Sequence, residues 1–443
     1  MYQILDRGIL NRKTFIYGKF DIMNQLKQQA LENDHQDPLG HKRADFHLPL
    51  TPSGDPYVYF CGNSLGLQPK NVANYIQQEL NDWKNLGVEG HFHAKNPWMP
   101  YHEFLTEQMA DVVGAKPIET VVMNSLTVNL HLLMVSFYRP SPERYKILIE
   151  KNAFPSDQYA VKSQLKFHGF SPDDALLELP PSEGKAYTET QDIMDFLDKH
   201  GNEIALVLIG GVNYYSGQYF PMKEITEKAH KMGAVVGFDL AHAAGNIDLK
   251  LHDTNADFAA WCSYKYLNSG PGGLSGIFVH ERHAHDFELP RFAGWWGHDK
   301  QSRFKMPPDF IPEAGAEGWQ MSNPPILAMA ALRASLEHFA EVGMSALRQK
   351  SLRLTSFLER CLHEVLSDKV QIITPTDSKH RGCQLSLRIK DGDKKVFERL
   401  TAKDVIADWR EPDVIRVAPV PMYNSFMDAY EFAARLKEAL EEE

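Results

Sequence analysis

Residues Val235–His242 have the sequence VVGFDLAH, in which an apolar run ends at an acidic residue. A short apolar run of this kind predicts a buried strand, with Asp239 at its carboxyl end. The same pattern recurs at Val121–Asn124, Lys146–Glu150, Ile204–Gly210, Phe258–Ser263 and Ser275–His280. Helix-like segments such as Met222–Met232 separate several of these runs and leave room for crossover connections. The sequence therefore predicts an α/β fold with a mostly parallel sheet covered on both faces.

We expect the chain to consist of three parts. Residues 1–56 are an N-terminal extension and helical segment, residues 57–304 form the large α/β domain, and residues 305–443 form a smaller α+β domain with a connecting helix. In the last part, the connecting helix runs from Pro325 to about Leu366. The elements predicted after it are strands at Val370–Thr374, Gln384–Ile389 and Val414–Val417 and a helix at Ser425–Leu440.

The composition is that of an ordinary globular protein, with 443 residues, of which 43% are hydrophobic and 24% charged. A formal net charge of −11 argues against binding to nucleic acid or to an anionic membrane surface. No apolar run approaches the roughly 18 residues that cross a membrane. The four cysteines are widely scattered, which suggests neither a metal site nor a redox pair and favours a reducing, cytoplasmic location.

Asp239 and Lys265 are the strongest local signal for chemistry. Lys265 follows the predicted strand Phe258–Ser263, and ligands of open α/β sheets bind at the carboxyl ends of strands. The two side chains could therefore face one crevice. Pyridoxal phosphate needs such a pair, because a lysine amine forms the Schiff base and a carboxylate keeps the ring nitrogen protonated. Taken alone, each residue is more often a helix-capping aspartate or a surface lysine.

Three further features favour a cofactor site, and each also has a simpler interpretation. Ser125–Thr127 lies where a strand becomes a helix, which suits either a phosphate or a plain helix cap. Phe154–Asp157 lies at a similar joint, where the aromatic ring could cover the cofactor or the proline could simply start a helix. Gly270–Gly273 would allow close backbone approach, or form only a turn.

Seven motifs along the chain resemble those of the kynureninase family. They are Gly62–Pro69, Met123–Asn129, Phe238–His242, Trp261–Asn268, Gly294–His298, Ser322–Leu327 and Arg416–Pro421. Because they occur in order over most of the chain, the resemblance is far more specific than any single short pattern.

The resemblance implies a fold, a cofactor and a reaction. Kynureninases are pyridoxal-phosphate enzymes of the aspartate-aminotransferase fold, also called fold type I, and they are homodimers. They hydrolyse L-kynurenine to anthranilate and L-alanine. Many also convert 3-hydroxy-L-kynurenine to 3-hydroxyanthranilate, and the reaction serves tryptophan catabolism or NAD synthesis.

The resemblance also implies roles for the matching residues. Lys265 would be the Schiff-base lysine, Asp239 would pair with the ring nitrogen, and Tyr264 would assist proton transfer and hold the phosphate. The other cofactor-binding residues would be Leu126, Thr127, Phe154, Asp157, Gly210 and His242, together with Trp295 and Asn323 from the partner subunit. The substrate-binding residues would be Ser64, His91, Asn323 and Arg416, of which Arg416 would bind the α-carboxylate.

Three positions carry separate expectations. Gly210 stands where many kynureninases carry serine and can offer only its backbone, so we expect a water molecule or a neighbouring group to fill the gap. Family members with histidine and asparagine at the places of His91 and Asn323 resemble those that favour 3-hydroxykynurenine.

Two alternatives remain at the level of the sequence. A cysteine desulfurase-like lyase has the same fold, but it needs a reactive cysteine on a mobile loop, and Cys383 lies in a strand-like run. Desulfurases also usually carry histidine at the place of Tyr264. A non-catalytic member of the fold would be expected to have lost Lys265, Asp239 or Arg416, and all three are present.

Overall fold

The computed structural model describes residues 22–390 and 392–442. The first 21 residues of the expected N-terminal extension lie outside the described residues. The chain forms two compact units. The sheet unit comprises residues 63–346 and 374–382, and the C-terminal unit comprises residues 22–62, 347–373 and 383–442. Residues 305–346 thus pack with the large sheet, and residues 22–62 pack with the C-terminal elements.

Strands and helices are numbered along the chain. The strands are β1 (Val58–Tyr59), β2 (Thr120–Met123), β3 (Lys146–Glu150), β4 (Leu176–Leu179), β5 (Ile204–Gly210), β6 (Val235–Asp239), β7 (Phe258–Cys262), β8 (Ser275–Val279), β9 (Val370–Ile372), β10 (Leu385–Ile389), β11 (Val405–Ile406), β12 (Asp408–Arg410) and β13 (Val414–Val417). The helices are α1 (22–35), α2 (Val72–Leu86), α3 (Gly90–His93), α4 (Glu103–Val113), α5 (Leu126–Phe137), α6 (Pro155–Phe167), α7 (Pro172–Ala175), α8 (Thr190–His200), α9 (Met222–Lys231), α10 (Leu251–Thr254), α11 (Ile326–Val342), α12 (Met344–Leu366), α13 (Lys394–Ala402) and α14 (Phe426–Glu441).

The sheet unit is built on seven strands in the order β2-β8-β7-β6-β5-β3-β4. Strands β3 to β7 pair in parallel, whereas β8 is antiparallel to both β7 and β2. β7 is buried along its whole length, and so is β5 as far as Ile209. Continuous burial of this kind is typical of strands in a sheet whose two faces are covered by helices. The predicted mostly parallel α/β sheet is therefore confirmed.

Aromatic packing anchors α5 to this sheet. The ring of Phe137 stacks on Phe258 of β7, with ring centroids 5.0 Å apart, and on Trp319, with centroids 6.2 Å apart. The Trp319 indole nitrogen donates to the buried hydroxyl of Ser136 over 2.9 Å. Each fully buried aromatic side chain contributes about 1.5–3 kcal/mol, so this cluster fixes the helix whose N-terminus faces the site described below.

The C-terminal unit has a four-stranded antiparallel sheet in the order β12-β13-β10-β9. Its core includes Leu358, Leu362, Leu387 and Phe432, all buried. A separate two-stranded pairing joins β1 in parallel to β11. In the described part of the chain, no helix is both long and apolar enough to cross a membrane.

The predicted continuous helix from Pro325 to Leu366 is wrong in one respect. The structure has two helices, α11 and α12, which are separated at Gly343. Gly343 adopts a φ of +79°, a conformation that a side chain disfavours and that ends a helix. The apolar spacing continues across this point, so the sequence pattern alone suggested one helix.

Candidate active site

Three strands of the large sheet end in residues that face a common cavity. Glu150 ends β3, Gly210 ends β5 and Asp239 ends β6. Gly210 and Asp239 are direct partners in the parallel pairing of β5 with β6. The carboxyl ends of parallel strands meet at one edge of the sheet, which is where open α/β sheets bind ligands.

The cavity has a volume of about 230 Å³ and lies within the sheet unit. Its lining combines the strand ends with the N-termini of α5 and α6 and the segments that follow β6 and β7. The lining residues are Ser125, Leu126, Thr127, Glu150, Phe154, Ser156, Asp157, Gly210, Val212, Tyr214, Asp239, Ala241, His242, Tyr264, Lys265, Gly272, Gly273 and Ser275.

The Lys265 amine is held in the middle of polar and aromatic groups. Its Nζ lies 3.0 Å from Nε2 of His242, and 5.8 Å and 5.9 Å from the ring centroids of Phe154 and Tyr264. The Lys265 segment is fixed from behind by Gly66, whose N–H donates to the Tyr264 carbonyl over 2.9 Å. A Cβ at Gly66 would stand 2.3 Å from the Lys265 carbonyl oxygen, so this contact requires glycine.

Carboxyl groups also line the cavity. Asp239 is buried, and its Oδ1 accepts the Ala241 N–H over 2.7 Å. Burial raises the pKa of Asp239, and burial together with the neighbouring Asp239 charge raises the pKa of Asp157. The two carboxyl groups share a hydrogen bond, which requires a proton on one of them. A cation bound next to this pair would favour the ionised form of Asp239, because a nearby positive charge lowers the pKa of a carboxyl group.

Hydroxyl groups and the N-terminus of α5 also line the cavity. Ser125 is the N-cap of α5, a helix of 12 residues, and its side chain makes no capping bond. The Thr127 and Ser156 hydroxyls lie 2.8 Å apart. Ser275 lines the cavity with a buried hydroxyl for which the described residues provide no hydrogen-bond partner. Exposed helix N–H groups and an unsatisfied buried hydroxyl are what a phosphate group would satisfy.

Known proteins match most of this chain. Residues 347–436 match the family model described as "Kynureninase C-terminal domain". A kynureninase of Koribacter versatilis is 60% identical over 92% of this chain and 96% of its own length. A kynureninase of Myxococcus xanthus is 58% identical over the same shares, and one of Nematostella vectensis is 50% identical over 92% of each chain. The chain belongs to the kynureninase family. The predicted family is therefore confirmed.

Solved structures with the same fold include cysteine desulfurases and a related lyase. The cysteine desulfurase of Thermococcus onnurineus superposes with a TM-score of 0.72, 19% identity, and coverage of 90% of this chain and 97% of that chain. A C-DES variant with glycine linked covalently to its PLP cofactor superposes with a TM-score of 0.73 and 17% identity, over 89% of this chain and 99% of that chain. Identities this low reflect the fold alone, and they confirm the predicted fold type I. The desulfurase alternative is thus a relative in fold.

Several residues that the kynureninase motifs suggested do not line this cavity. Trp295 is 45% exposed, and Asn323 is also exposed. His91 lies on the short helix α3, where its Nδ1 is 2.9 Å from the Val88 carbonyl oxygen. Ser64 is partly buried near the start of the sheet unit. Arg416 belongs to the C-terminal unit, where it is buried on β13 and donates to the Asp408 carboxylate.

The sequence analysis missed several cavity residues, among them Glu150, Tyr214 and Ser275. Glu150 had a usable signal, because it ends a buried strand just as Asp239 does. Tyr214 had no usable signal in the sequence, because it reaches the cavity through the shape of the loop after β5. Its ring contacts Phe154 edge-on, with ring centroids 5.3 Å apart. Ser275 lies at the start of β8, and the antiparallel direction of that strand places its first residue, instead of its last, at the cavity.

Proposed function

We propose that this chain hydrolyses L-kynurenine to anthranilate and L-alanine with pyridoxal phosphate bound in the cavity at the ends of β3, β5 and β6. The observation that carries the proposal is the convergence of Lys265, Asp239 and the Ser125–Thr127 helix terminus on that cavity. Identities of 50–60% to kynureninases over most of the chain also support the proposal. The same reaction on 3-hydroxy-L-kynurenine would give 3-hydroxyanthranilate.

The residues present fit the cofactor. Leu126, Thr127, Tyr264 and the unpartnered Ser275 hydroxyl would hold the phosphate, and Phe154 would cover the ring. Asp239 would hold the ring nitrogen, with Asp157 behind it, and Lys265 would carry the cofactor as a covalent adduct. When bound, the cofactor supplies an electron sink for the bonds of the substrate α-carbon.

The protein's own groups would move the protons of the reaction. The Lys265 amine would act as general base for the α-proton, and His242, whose Nε2 lies 3.0 Å from Nζ, would exchange a proton with it. Burial raises the pKa of Tyr264, which keeps its phenol protonated and able to donate. Asp239 would balance the ring cation throughout.

The substrate and the second subunit are assigned through the family motifs. Arg416 would bind the α-carboxylate, and Ser64 and His91 would line the side of the substrate. Trp295 and Asn323 would reach the cavity of the partner subunit in a homodimer. The large apolar side chains of this segment are exposed: Trp295 is 45% exposed, Phe304 53% and Met306 68%. Exposed apolar surface of this kind supports an interface with a second subunit at this place.

We also propose a cytoplasmic enzyme of tryptophan catabolism or NAD synthesis. The four cysteines, all in the described part of the chain, form no disulfide with one another, which suits a reducing compartment.

Product analysis tests the reaction. The protein, loaded with pyridoxal phosphate and incubated with L-kynurenine, should release anthranilate and alanine in equal amounts. Release of sulfur from cysteine without anthranilate would instead indicate a desulfurase, and a protein that neither binds the cofactor nor forms product would contradict the proposal.

The ring preference of the substrate is a further prediction. A hydroxyl buried against His91 and Asn323 would exchange hydrogen bonds with both, and leaving such groups unused costs about 1–3 kcal/mol. We therefore expect a higher kcat/KM for 3-hydroxykynurenine than for kynurenine. The double variant His91→Trp with Asn323→Thr should shift this ratio toward kynurenine. An unchanged ratio would show that the two residues do not select the ring.

A further inference from the structure

Gly210, at the end of β5, has no side chain, and the carboxyl group of Glu150 lies beside it. A Cβ placed on Gly210 would stand 3.0 Å from Oε1 of Glu150, which is closer than most such contacts allow. The other carboxyl oxygen, Oε2, accepts the Gly210 N–H over 3.2 Å. The neighbouring group expected beside Gly210 is therefore Glu150, and any larger residue at position 210 would crowd its carboxyl group.

Glu150 is buried among charged groups that come from several elements. It is 7% exposed, close to the 8% of Asp239. Asp239 faces it from β6, and Asp157, on α6, is near enough for the Glu150 charge to raise its pKa. The cationic group of this set is Lys265, in contact with His242. Burial, together with the Asp239 charge, raises the pKa of Glu150 to about 7.

This arrangement limits how many of the carboxyl groups are ionised together. Three carboxylates and one ammonium in a small buried cavity would leave excess negative charge, which a low dielectric penalises. The hydrogen bond between Asp157 and Asp239 accounts for one proton. Glu150 can hold a second, and its release near neutral pH would add one negative charge beside Asp239 without breaking that hydrogen bond.

We propose that Glu150, seated against Gly210, is a positioning residue that sets the charge of the Asp157–Asp239 pair and thereby the protonation of the cofactor held by Lys265. The inference rests on the proposed function, since it assigns the cofactor to this cavity. Glu150 acts through Asp239 and Asp157 and needs no contact with substrate.

The test is a pH titration of the visible absorbance of the cofactor-loaded protein. Glu150→Gln keeps the size of the side chain and an acceptor for the Gly210 N–H, but it cannot ionise. Loss of one nearby negative charge should lower the midpoint at which the lysine-linked cofactor loses its proton by about 0.5–1 pH unit. Glu178→Gln is the matched control, because Glu178 lies on the adjacent strand β4, is exposed and does not line the cavity.

A second variant keeps the test decisive if Glu150→Gln folds poorly. Gly210→Ala retains the carboxyl group and displaces it, so its titration midpoint should move by less than that of Glu150→Gln. Circular dichroism and the dissociation constant for pyridoxal phosphate, measured over the same pH range, would accompany both variants. Midpoints that coincide with the wild type in every folded variant would overturn the inference. A wild-type protein without a visible band would instead refute the cofactor assignment itself.

Discussion

At the scale of single residues, the chemistry that we propose depends on the short distance between Lys265 and His242. With Nζ and Nε2 3.0 Å apart, one nitrogen donates and the other accepts, so the two groups share a proton. In the function that we propose, the buried carboxyl groups that line the same cavity would balance the charge that the cofactor brings. The site is therefore prepared electrostatically by residues from separate elements.

Replacing Lys265 with alanine should abolish turnover and leave the fold intact, because the side chain lines a cavity and takes no part in core packing. Borohydride reduction of the loaded wild-type protein, followed by peptide mapping, should place the label on Lys265. Lys250→Ala, at an exposed lysine paired with Asp248, is the control and should retain activity. A label on another lysine would contradict the assignment.

Arg416→Lys should weaken substrate binding far more than cofactor binding. A guanidinium can bind a carboxylate with two parallel hydrogen bonds, whereas an ammonium cannot, and a charge-assisted hydrogen bond contributes about 1.5–3 kcal/mol. We expect KM for kynurenine to rise roughly 10-fold or more. Arg388→Lys, on the paired strand β10 with Asp413 as its partner, is the matched control. Equal KM values in wild type and Arg416→Lys would assign Arg416 to the ion pair with Asp408 alone.

At the scale of secondary-structure elements, the sequence predicted the strands that a local run of apolar residues defines. β3, β5 and β13 have the expected bounds, since each is a short, largely apolar run with clear ends. β4 was missed because it has four residues, of which only Leu179 is buried. In the site, Asp239 and Lys265 were found from their strand ends, whereas Tyr214 and Ser275 reach the cavity through loop shape and strand direction. Loop shape and strand direction depend on tertiary structure, which no local sequence pattern encodes.

Asp257, between α10 and β7, ties β6 and β7 together at the ends opposite the cavity. Its carboxylate accepts from the Val236 N–H over 2.8 Å and contacts His230, Arg282 and His283. Burial alone would raise the pKa of Asp257, but the hydrogen bonds from the two histidines and the Arg282 guanidinium hold it below its ordinary value.

Asp257→Asn should therefore destabilise the sheet unit by about 3 kcal/mol, because it removes one partner of a buried charged network. In the wild type, the stabilisation from this carboxylate is present above its unfolded pKa of about 3.9 and is lost as the pH falls below it. Urea unfolding at pH 7 and at acid pH measures both effects. Asp198→Asn, at an exposed ion pair with Lys228, should change stability little. Equal stability of the two variants would contradict the role given to Asp257.

At the scale of the whole molecule, the described residues of the sheet unit form the candidate cofactor cavity, but Trp295 and Asn323 lie outside its lining. Both residues lie in the motif-bearing stretch that the family resemblance assigns to the cavity of a partner subunit. The segment between them also exposes Phe304 and Met306, whose apolar surface a second copy would cover. The homodimer with shared sites that we propose would account for both observations.

Mixed dimers test this arrangement. Lys265→Ala removes the covalent attachment of the cofactor, and Asn323→Ala removes a group that we place in the opposite site, so each pure variant should be weakly active or inactive. If Asn323 crosses over, a hybrid dimer contains one site with both defects and one with neither, and mixing the variants should restore up to roughly one quarter of wild-type activity when subunits pair at random. Native mass spectrometry would verify that the subunits exchange. With exchange verified, absence of recovery would mean that Lys265 and Asn323 serve the same site from one chain, because each hybrid would then carry one defect in each of its two sites.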